Sequence, residues 1–529
     1  MAMIKNKICL VILDGWGIGE ENQTNPIFKA GTPNFDEIKR YYPFTSLQAS
    51  GNAIGLPWLE EGNSEVGHLT IGTGRVVYQH LTRIDTAIEN GSFFTNSVLH
   101  QIFLYPQKNK SQCHLIGLLT SGHVHASYNH LIALLDLARQ LKFKNVKLHL
   151  ITDGRDSPPY EAIDLIKKLE IDLVNRGLGQ IASLSGRFYA MDRDANWNRI
   201  EKVVKLLTEG IGKRTNDLYG YLQNAYQAGI NDEFIEPALI ADQNNNVSLI
   251  QSNDSVFFFN FREDGVKQLI SPFAFKNFSL FKTKIPSNLY VGSMTKLGDD
   301  YPFPAAFERQ NINNSLVQVL SDCHKRQLHL AESEKAPHIT YFFDGLRDKP
   351  SPGEYWVILP SLKTLHYEDY PELLAKDITS RLEQAISENI YDFILVNYAN
   401  PDLIGHTGNF EAGIKCAKFM DQEIKKVADL CLKNGITLII TSDHGNLERM
   451  INPFTGRIET QHDPNPVPFY LIDSRLKSTV PKSDLEIKRR EREINGVLAD
   501  IAPTILNILG LAKPKEMTGQ SLLKILDIP

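Results

Sequence analysis

The chain has 529 residues, 42% of them apolar and 22% charged, with a net charge of −6. That length exceeds one ordinary core and predicts two domains of a globular protein, while the composition excludes a fibrous or disordered chain. The acidic balance argues against nucleic acid or an anionic membrane as the main partner, but not against a small anion held in a local basic pocket.

In chain order, MAMIKNKICLVILDG carries only six consecutive apolar residues before Asp14. The run is too short for a signal peptide or a bilayer crossing and reads as a buried strand. Similar β-rich runs follow in CHLIGLLTSG, VKLHLITDGRD, QIASLSGR, SVFFFNFRED, DFILVNYANPD and ITLIITSDHGN, with amphipathic stretches between them. This alternation predicts an α/β fold with largely parallel sheets buried on both faces, whose ligands bind beyond the carboxyl ends of the strands. ADQNNNVSL, Ala241 to Leu249, reads as a polar loop, and the charge run after Asp484 as a solvated face or an insertion. Cys9, Cys113, Cys323, Cys416 and Cys431 have no CxxC spacing and read as reduced, buried thiols of a cytoplasmic protein.

Residues with chemistry to offer fall at the ends of those runs: Asp14, His123, His125, Asp153 to Asp156, Arg187, Arg262, Asp402 and Asp443. In NPDLIGHTG, Asp402 and His406 are four apart, so one helical turn would aim both at a single ion. Asp443 and His444 in TSDHGN are adjacent and point apart, which suits ligands of two different ions; His462 follows in ETQHDPNPVP. Mixed Asp/His/Ser donors fit Mn²⁺, Mg²⁺ or Zn²⁺, and the absence of Cys argues against structural zinc. Two such ions could clamp the attacking and leaving oxygens of an in-line displacement. Ser64, in GNSEVGH, reads either as a helix N-cap or as an alkoxide activated by a metal, and the two readings are compatible.

Together, LDGWG, GNSEVGH, DGRDSPP, GRFYAMDRD, NFRED, EKAPHITYFFDG, NPDLIGHTG, SDHGN and HDPNPVP give the chain, over essentially its full length, a resemblance to the cofactor-independent (2,3-bisphosphoglycerate-independent) phosphoglycerate mutases of the alkaline-phosphatase-like superfamily. The resemblance implies a phosphatase-like parallel-sheet domain from residues 1–80 and 313–529, with an α/β transferase domain inserted over 81–312. It implies two divalent ions, one held by Asp402, His406 and His462 and the other by Asp14, Ser64, Asp443 and His444, with no 2,3-bisphosphoglycerate required. Oxygen and imidazole ligands admit both Mn²⁺ and Mg²⁺, and the three histidines lean toward Mn²⁺. Ser64 matches the phosphoserine nucleophile, Lys335 offsets charge on the leaving alkoxide, and Asp156 is the general base for the 2-hydroxyl. His125, Arg155, Asp156, Arg187, Arg193, Arg262 and Lys335 form the implied substrate pocket. Guanidinium forks suit a molecule that carries both a phosphate and a carboxylate.

The implied reaction interconverts 3- and 2-phosphoglycerate in a monomeric, cytoplasmic glycolytic enzyme, with no nucleic-acid or membrane partner. Two departures stand out: the second arginine expected after NFRED is Gly265, with Lys267 as a replacement to consider, and TSGHVHAS lacks an expected Asp, Gly and His while adding His123. A plain phosphomonoester hydrolase and a phosphopentomutase share the metal chemistry, and a catalytically dead binding protein would share the fold. The arginine-rich insert speaks against the hydrolase, and the intact metal and nucleophile set against the dead protein.

Overall fold

The computed structural model describes residues 7–58, 60–310 and 312–528. The chain forms two compact units, Met1–Tyr78 with Asn311–Pro529, and Gln79–Gln310. Each is built on an eight-stranded, largely parallel sheet with helices on its faces, the α/β class expected from the recurring β-rich runs.

In the first unit the strand Lys7–Leu13 lies in the interior of the sheet, parallel to Phe393–Tyr398 on one side and Ile436–Thr441 on the other. Beyond Phe393–Tyr398 come Gln327–Glu332 and Glu354–Leu359, also parallel; Val467–Ile472 pairs antiparallel with both Ile436–Thr441 and Phe44–Gln48. The central strand shows why the run is continuously apolar. Cys9, Val11 and Leu13 enter one core, and Ile8, Leu10 and Ile12 enter the core on the opposite face. Full burial of each such side chain contributes about 1.5–3 kcal/mol, so a polar substitution on either face would be costly.

In the second unit Cys113–Leu119, buried throughout, pairs in parallel with Val146–Thr152 and Ser255–Phe258, and Gln180–Gly186 continues the sheet. A buried polar chain crosses these strands. Asp254 Oδ2 faces His114 Nε2 at 3.1 Å, His114 Nδ1 faces His149 Nε2 at 2.8 Å, and His149 Nδ1 faces Ser183 Oγ at 2.8 Å. One proton arrangement satisfies every link: Ser183 donates to His149, His149 to His114, and His114 to the carboxylate, with both imidazoles neutral. Burial pulls the pKa of both histidines down, consistent with that arrangement.

The run from Asp484 to Arg492 is a surface helix that buries only Ile487. Four cysteines are buried as expected, but Cys323 is exposed, because it follows the last turn of the helix Leu316–Asp322. Among the described residues, no helix is long and apolar enough to cross a membrane.

Candidate active site

Parallel register assembles the first cluster. Leu13 pairs with Tyr398 and Ile12 with Thr441, so Asp14, the segment after Tyr398 and Ser442–His444 all leave the sheet at one height. Two glycines let these segments close up. Gly15 has φ +73°, and a Cβ there would stand 2.9 Å from Asp402 Cα; a Cβ on Gly67 would stand 2.6 Å from the Asp443 carbonyl oxygen. The helix Ser64–Thr73 therefore packs directly against Asp443. Its cap is Asn63, whose side chain accepts from Val66 N, and Ser64 is the first helical residue. The capping reading of Ser64 is thus displaced by one residue, and its hydroxyl is left without that task.

Asp402 and His406 do share a face of the short helix Asn400–Gly405 and its cap, with Oδ1 and Nε2 3.1 Å apart. His462 Nε2 lies 3.2 Å from the same Oδ1 and 3.0 Å from His406 Nε2. Both Nδ1 atoms are committed elsewhere, His406 donating to Thr460 O and His462 to Gly62 O, each at 2.7 Å. In neutral rings both Nε2 atoms then present lone pairs, so that three acceptors converge; the contact with Asp402 raises the His406 pKa, so a positive charge, proton or cation, is favoured here. Asp14, Asp443 and His444 form a second group of possible ligands, so the adjacent Asp443 and His444 converge on one position and do not point to two different ions. His444 Nε2 lies 3.4 Å from Asp14 Oδ1, 3.5 Å from Asp443 Oδ2 and 3.0 Å from Ser64 Oγ, while its Nδ1 faces Gly445 O at 3.2 Å. Asp443 Oδ2 is buried, and the side-chain nitrogen nearest it outside this group is His68 Nδ1 at 3.1 Å. Both donor sets fit divalent cations of the N/O-preferring kind.

Lys335 supplies positive charge to this cluster. Its Nζ, almost fully buried, lies 2.7 Å from Asp14 Oδ1, 2.6 Å from Asp402 Oδ2 and 2.9 Å from Ser64 Oγ. Burial would discharge the lysine, but Asp14, Asp402 and Asp443 outweigh it and hold its pKa above the ordinary value. The same carboxylates overcome burial at His444 and lift it to about 9, a measure of the field that invites cations here. Outside the expected set, Asn446 Nδ2 donates to Asp402 Oδ1 at 2.9 Å, and Glu448 Oε2 accepts from Gly17 N and Asn446 N, each at 2.9 Å. A third convergent group, His329, Asp344 and Glu354, has a different solution. His329 Nδ1 is used by Ile339 O at 2.7 Å, and burial together with Glu354 pushes the Asp344 carboxyl up to about 10. Asp344 is therefore a neutral acid beside a carboxylate.

The second unit places most of the predicted pocket residues together. Arg187, buried, reaches Asp153 Oδ1 and Asp156 Oδ2 through one nitrogen, each at 2.5 Å. His125 lies between Asp156 Oδ2 at 3.6 Å and Asp264 Oδ1 at 3.4 Å, and Arg193 binds Asp264 at 2.7 Å. His125, Arg155, Arg187 and Arg193 line one cavity of about 80 Å³ with Gly265. Asp156 touches that group without lining the cavity, and Arg262 is half exposed, 3.5 Å from Asp264. Arg199, not anticipated, also lines it; its guanidinium is stacked 3.8 Å above Phe188 and held by Asp192 at 2.8 Å. Its helical context in NWNRIEKVV gives no signal of this. Lys267 pairs with Glu263 at 3.2 Å and is not in the cavity wall, so it does not replace the arginine missing at Gly265; His123 is exposed.

The family model described as BPG-independent PGAM N-terminus matches residues 84–299. Over 520 residues the chain is 42% identical to a 2,3-bisphosphoglycerate-independent phosphoglycerate mutase of Trichodesmium erythraeum, covering 98% of this chain and 95% of that one. The chain belongs to the 2,3-bisphosphoglycerate-independent phosphoglycerate mutases. A mutase of that name from Clostridioides difficile is 40% identical, with 98% of this chain and all 100% of the other covered. Crystal structures of Leishmania mexicana phosphoglycerate mutase at low cobalt concentration give a TM-score of 0.61 at 26% identity, with 97% of each chain covered.

Proposed function

We infer that this mutase interconverts 3-phosphoglycerate and 2-phosphoglycerate by passing the phosphoryl group through Ser64. The observation that carries the reading is the position of Ser64 Oγ, within 3.0 Å of Asp14 Oδ1, His444 Nε2 and Lys335 Nζ at the start of a helix. The positive helix terminus and the lysine both favour a phosphate there.

In the first half-reaction Ser64 Oγ attacks phosphorus, the bond to the 3-oxygen breaks, and the departing alkoxide leaves with the proton that serine gave up. Lys335, kept protonated by its carboxylates, offsets the negative charge on the transferring group. The carboxylate and hydroxyls of glycerate are held by His125, Arg155, Arg187, Arg193 and Arg262. In the second half-reaction Asp156 takes the 2-hydroxyl proton, the 2-oxygen attacks phosphoserine, and Ser64 is released and reprotonated. Asp402, His406 and His462 would hold one divalent cation, and Asp14, Ser64, Asp443 and His444 another. Such ions lower the pKa of a bound hydroxyl and neutralise phosphoryl charge.

Three imidazoles in the ligand set favour Mn²⁺ over Mg²⁺. We further assign the first unit as the phosphatase-like domain and the second as the inserted transferase domain of a monomeric, cytoplasmic enzyme that needs no bisphosphorylated cofactor. The test is incubation with 3-phosphoglycerate alone: 2-phosphoglycerate is the expected product, and free phosphate in its place would make the protein a hydrolase. Phosphate label should appear on Ser64, and its absence during turnover would remove the serine from the reaction.

A further inference from the structure

His68, one turn after the nucleophile, is fully buried and has no part in the scheme above. Its contacts fix its proton. Nδ1 lies 2.8 Å from the Ser64 carbonyl oxygen and 3.1 Å from Asp443 Oδ2, both acceptors, so Nδ1 carries the hydrogen. Nε2 lies 3.0 Å from Asn397 Nδ2. That amide nitrogen also donates to Asp14 Oδ2 at 2.8 Å, which rules out the flipped amide and leaves Nε2 as an acceptor. The ring is a neutral Nδ1–H imidazole, and both of its nitrogens are engaged with groups that define the site.

We propose that His68 is a positioning residue that ties the start of the Ser64 helix, through the Ser64 carbonyl, to the Asp14 carboxylate, through Asn397. The connected atoms come from three segments: the helix Ser64–Thr73, the strand Phe393–Tyr398 and the end of the strand Lys7–Leu13. Close packing at Gly67 sets how near the helix stands to Asp443 but not its rotation about its own axis. The imidazole supplies that constraint, because Nδ1 is held between the Ser64 carbonyl and Asp443 Oδ2 while Nε2 is held by Asn397. Partners of this outer kind orient ligands, and their loss commonly weakens metal affinity or activity by about 10- to 100-fold.

The proposal rests on reading Asp14 and Ser64 as metal ligands, and its test separates the two. Wild type, His68→Leu and His68→Asn are titrated with Mn²⁺ by calorimetry, with near-UV circular dichroism confirming a native fold. Both variants should bind Mn²⁺ about 10- to 100-fold more weakly at one of two sites. The asparagine variant, whose amide can still donate near the Nδ1 position, should be the milder. Their kcat should fall while KM for 3-phosphoglycerate stays within about twofold, since no substrate contact is removed. Folded variants with wild-type Mn²⁺ affinity at both sites and only a lower Tm would reduce His68 to core packing and overturn the proposal, with the ligand reading intact. A wild type that binds no Mn²⁺ would overturn both. If the leucine variant does not fold, the asparagine variant decides.

Discussion

Two clusters of histidine and carboxylate, one in each unit, differ in how their lone pairs are arranged. In the second unit, Asp254, His114, His149 and Ser183 run head to tail, donor to acceptor, and each member satisfies the next. In the first unit, His406, His462 and Asp402 converge on one point, and Asp14, His444 and Asp443 on another, with the carboxylates drawing positive charge to both. A closed chain of hydrogen bonds leaves nothing for a ligand to do; facing acceptors need a cation. Residue type does not distinguish the two clusters; the direction of their lone pairs does, and so does the exposure of His406.

The sharpest way to break the comparison is Ser64→Ala. Mutase activity should fall by roughly 10⁴-fold or more, as for loss of other nucleophiles, with the fold intact by circular dichroism. Chelation comes next: activity should vanish and return with Mn²⁺, and Tm should fall in chelator because ions that bind only the folded state stabilise it. Activity and Tm indifferent to chelator would mean that the facing acceptors are answered by protons.

Arg187→Ala removes the guanidinium shared by Asp153 and Asp156 and should cost about 2–5 kcal/mol in kcat/KM, checked by steady-state kinetics with 3-phosphoglycerate. In the closed chain, His149→Leu orphans His114 Nδ1 and Ser183 Oγ; about 1–3 kcal/mol of stability should go, read by urea unfolding, while kcat stays near wild type. The sign of the pH dependence follows from burial, which depresses both histidines, with Lys147 lowering them further and Asp254 opposing at His114. A depressed folded pKa means that stability is fully present above the unfolded value near 6.5 and is lost as pH falls toward the folded value. The slope is up to about 1.4 kcal/mol per pH unit for each histidine. His149→Leu should flatten it.

The third convergent group is tested by Asp344→Asn, through a pH slope and without any loss of activity. Asp344 is held neutral by a pKa pushed up to about 10, so folding takes up a proton above the unfolded value and stability declines as pH rises from about 4 toward 10. The amide removes that demand, so the decline in stability between about pH 4 and 9, read by urea unfolding, should flatten in the variant.

Much of this was legible in the sequence. Continuous apolar runs such as ICLVIL and DFILVNY announce strands buried on both faces, and the strands form there. The i,i+4 spacing of Asp402 and His406 foretells their shared face, because a helical turn is a local object. What stayed hidden depends on long-range geometry. Nothing near Arg199 in the chain shows that Phe188 and Asp192 turn it into a cavity wall. His68 and Asn397 are more than 300 residues apart and carry no local signature of their contact. Asn63 took the cap from Ser64 because the two residues compete for adjacent helical positions, and propensity does not resolve one residue.

The register of the central strand has a further consequence. Lys7–Leu13 acts as a ruler on which segments far apart in sequence are marked off at a common height. A slip of one residue in either neighbour would carry its cargo about 3.3 Å along the strand, farther than Lys335 Nζ lies from any of Asp14, Asp402 and Ser64. Lengths between the marks are free by the same logic. The stretch from Gln79 to Gln310 forms a compact unit of its own between Ser64 and Lys335 in sequence, yet those two side chains meet at 2.9 Å. Tolerance to insertion and intolerance to slippage are thus properties of one strand.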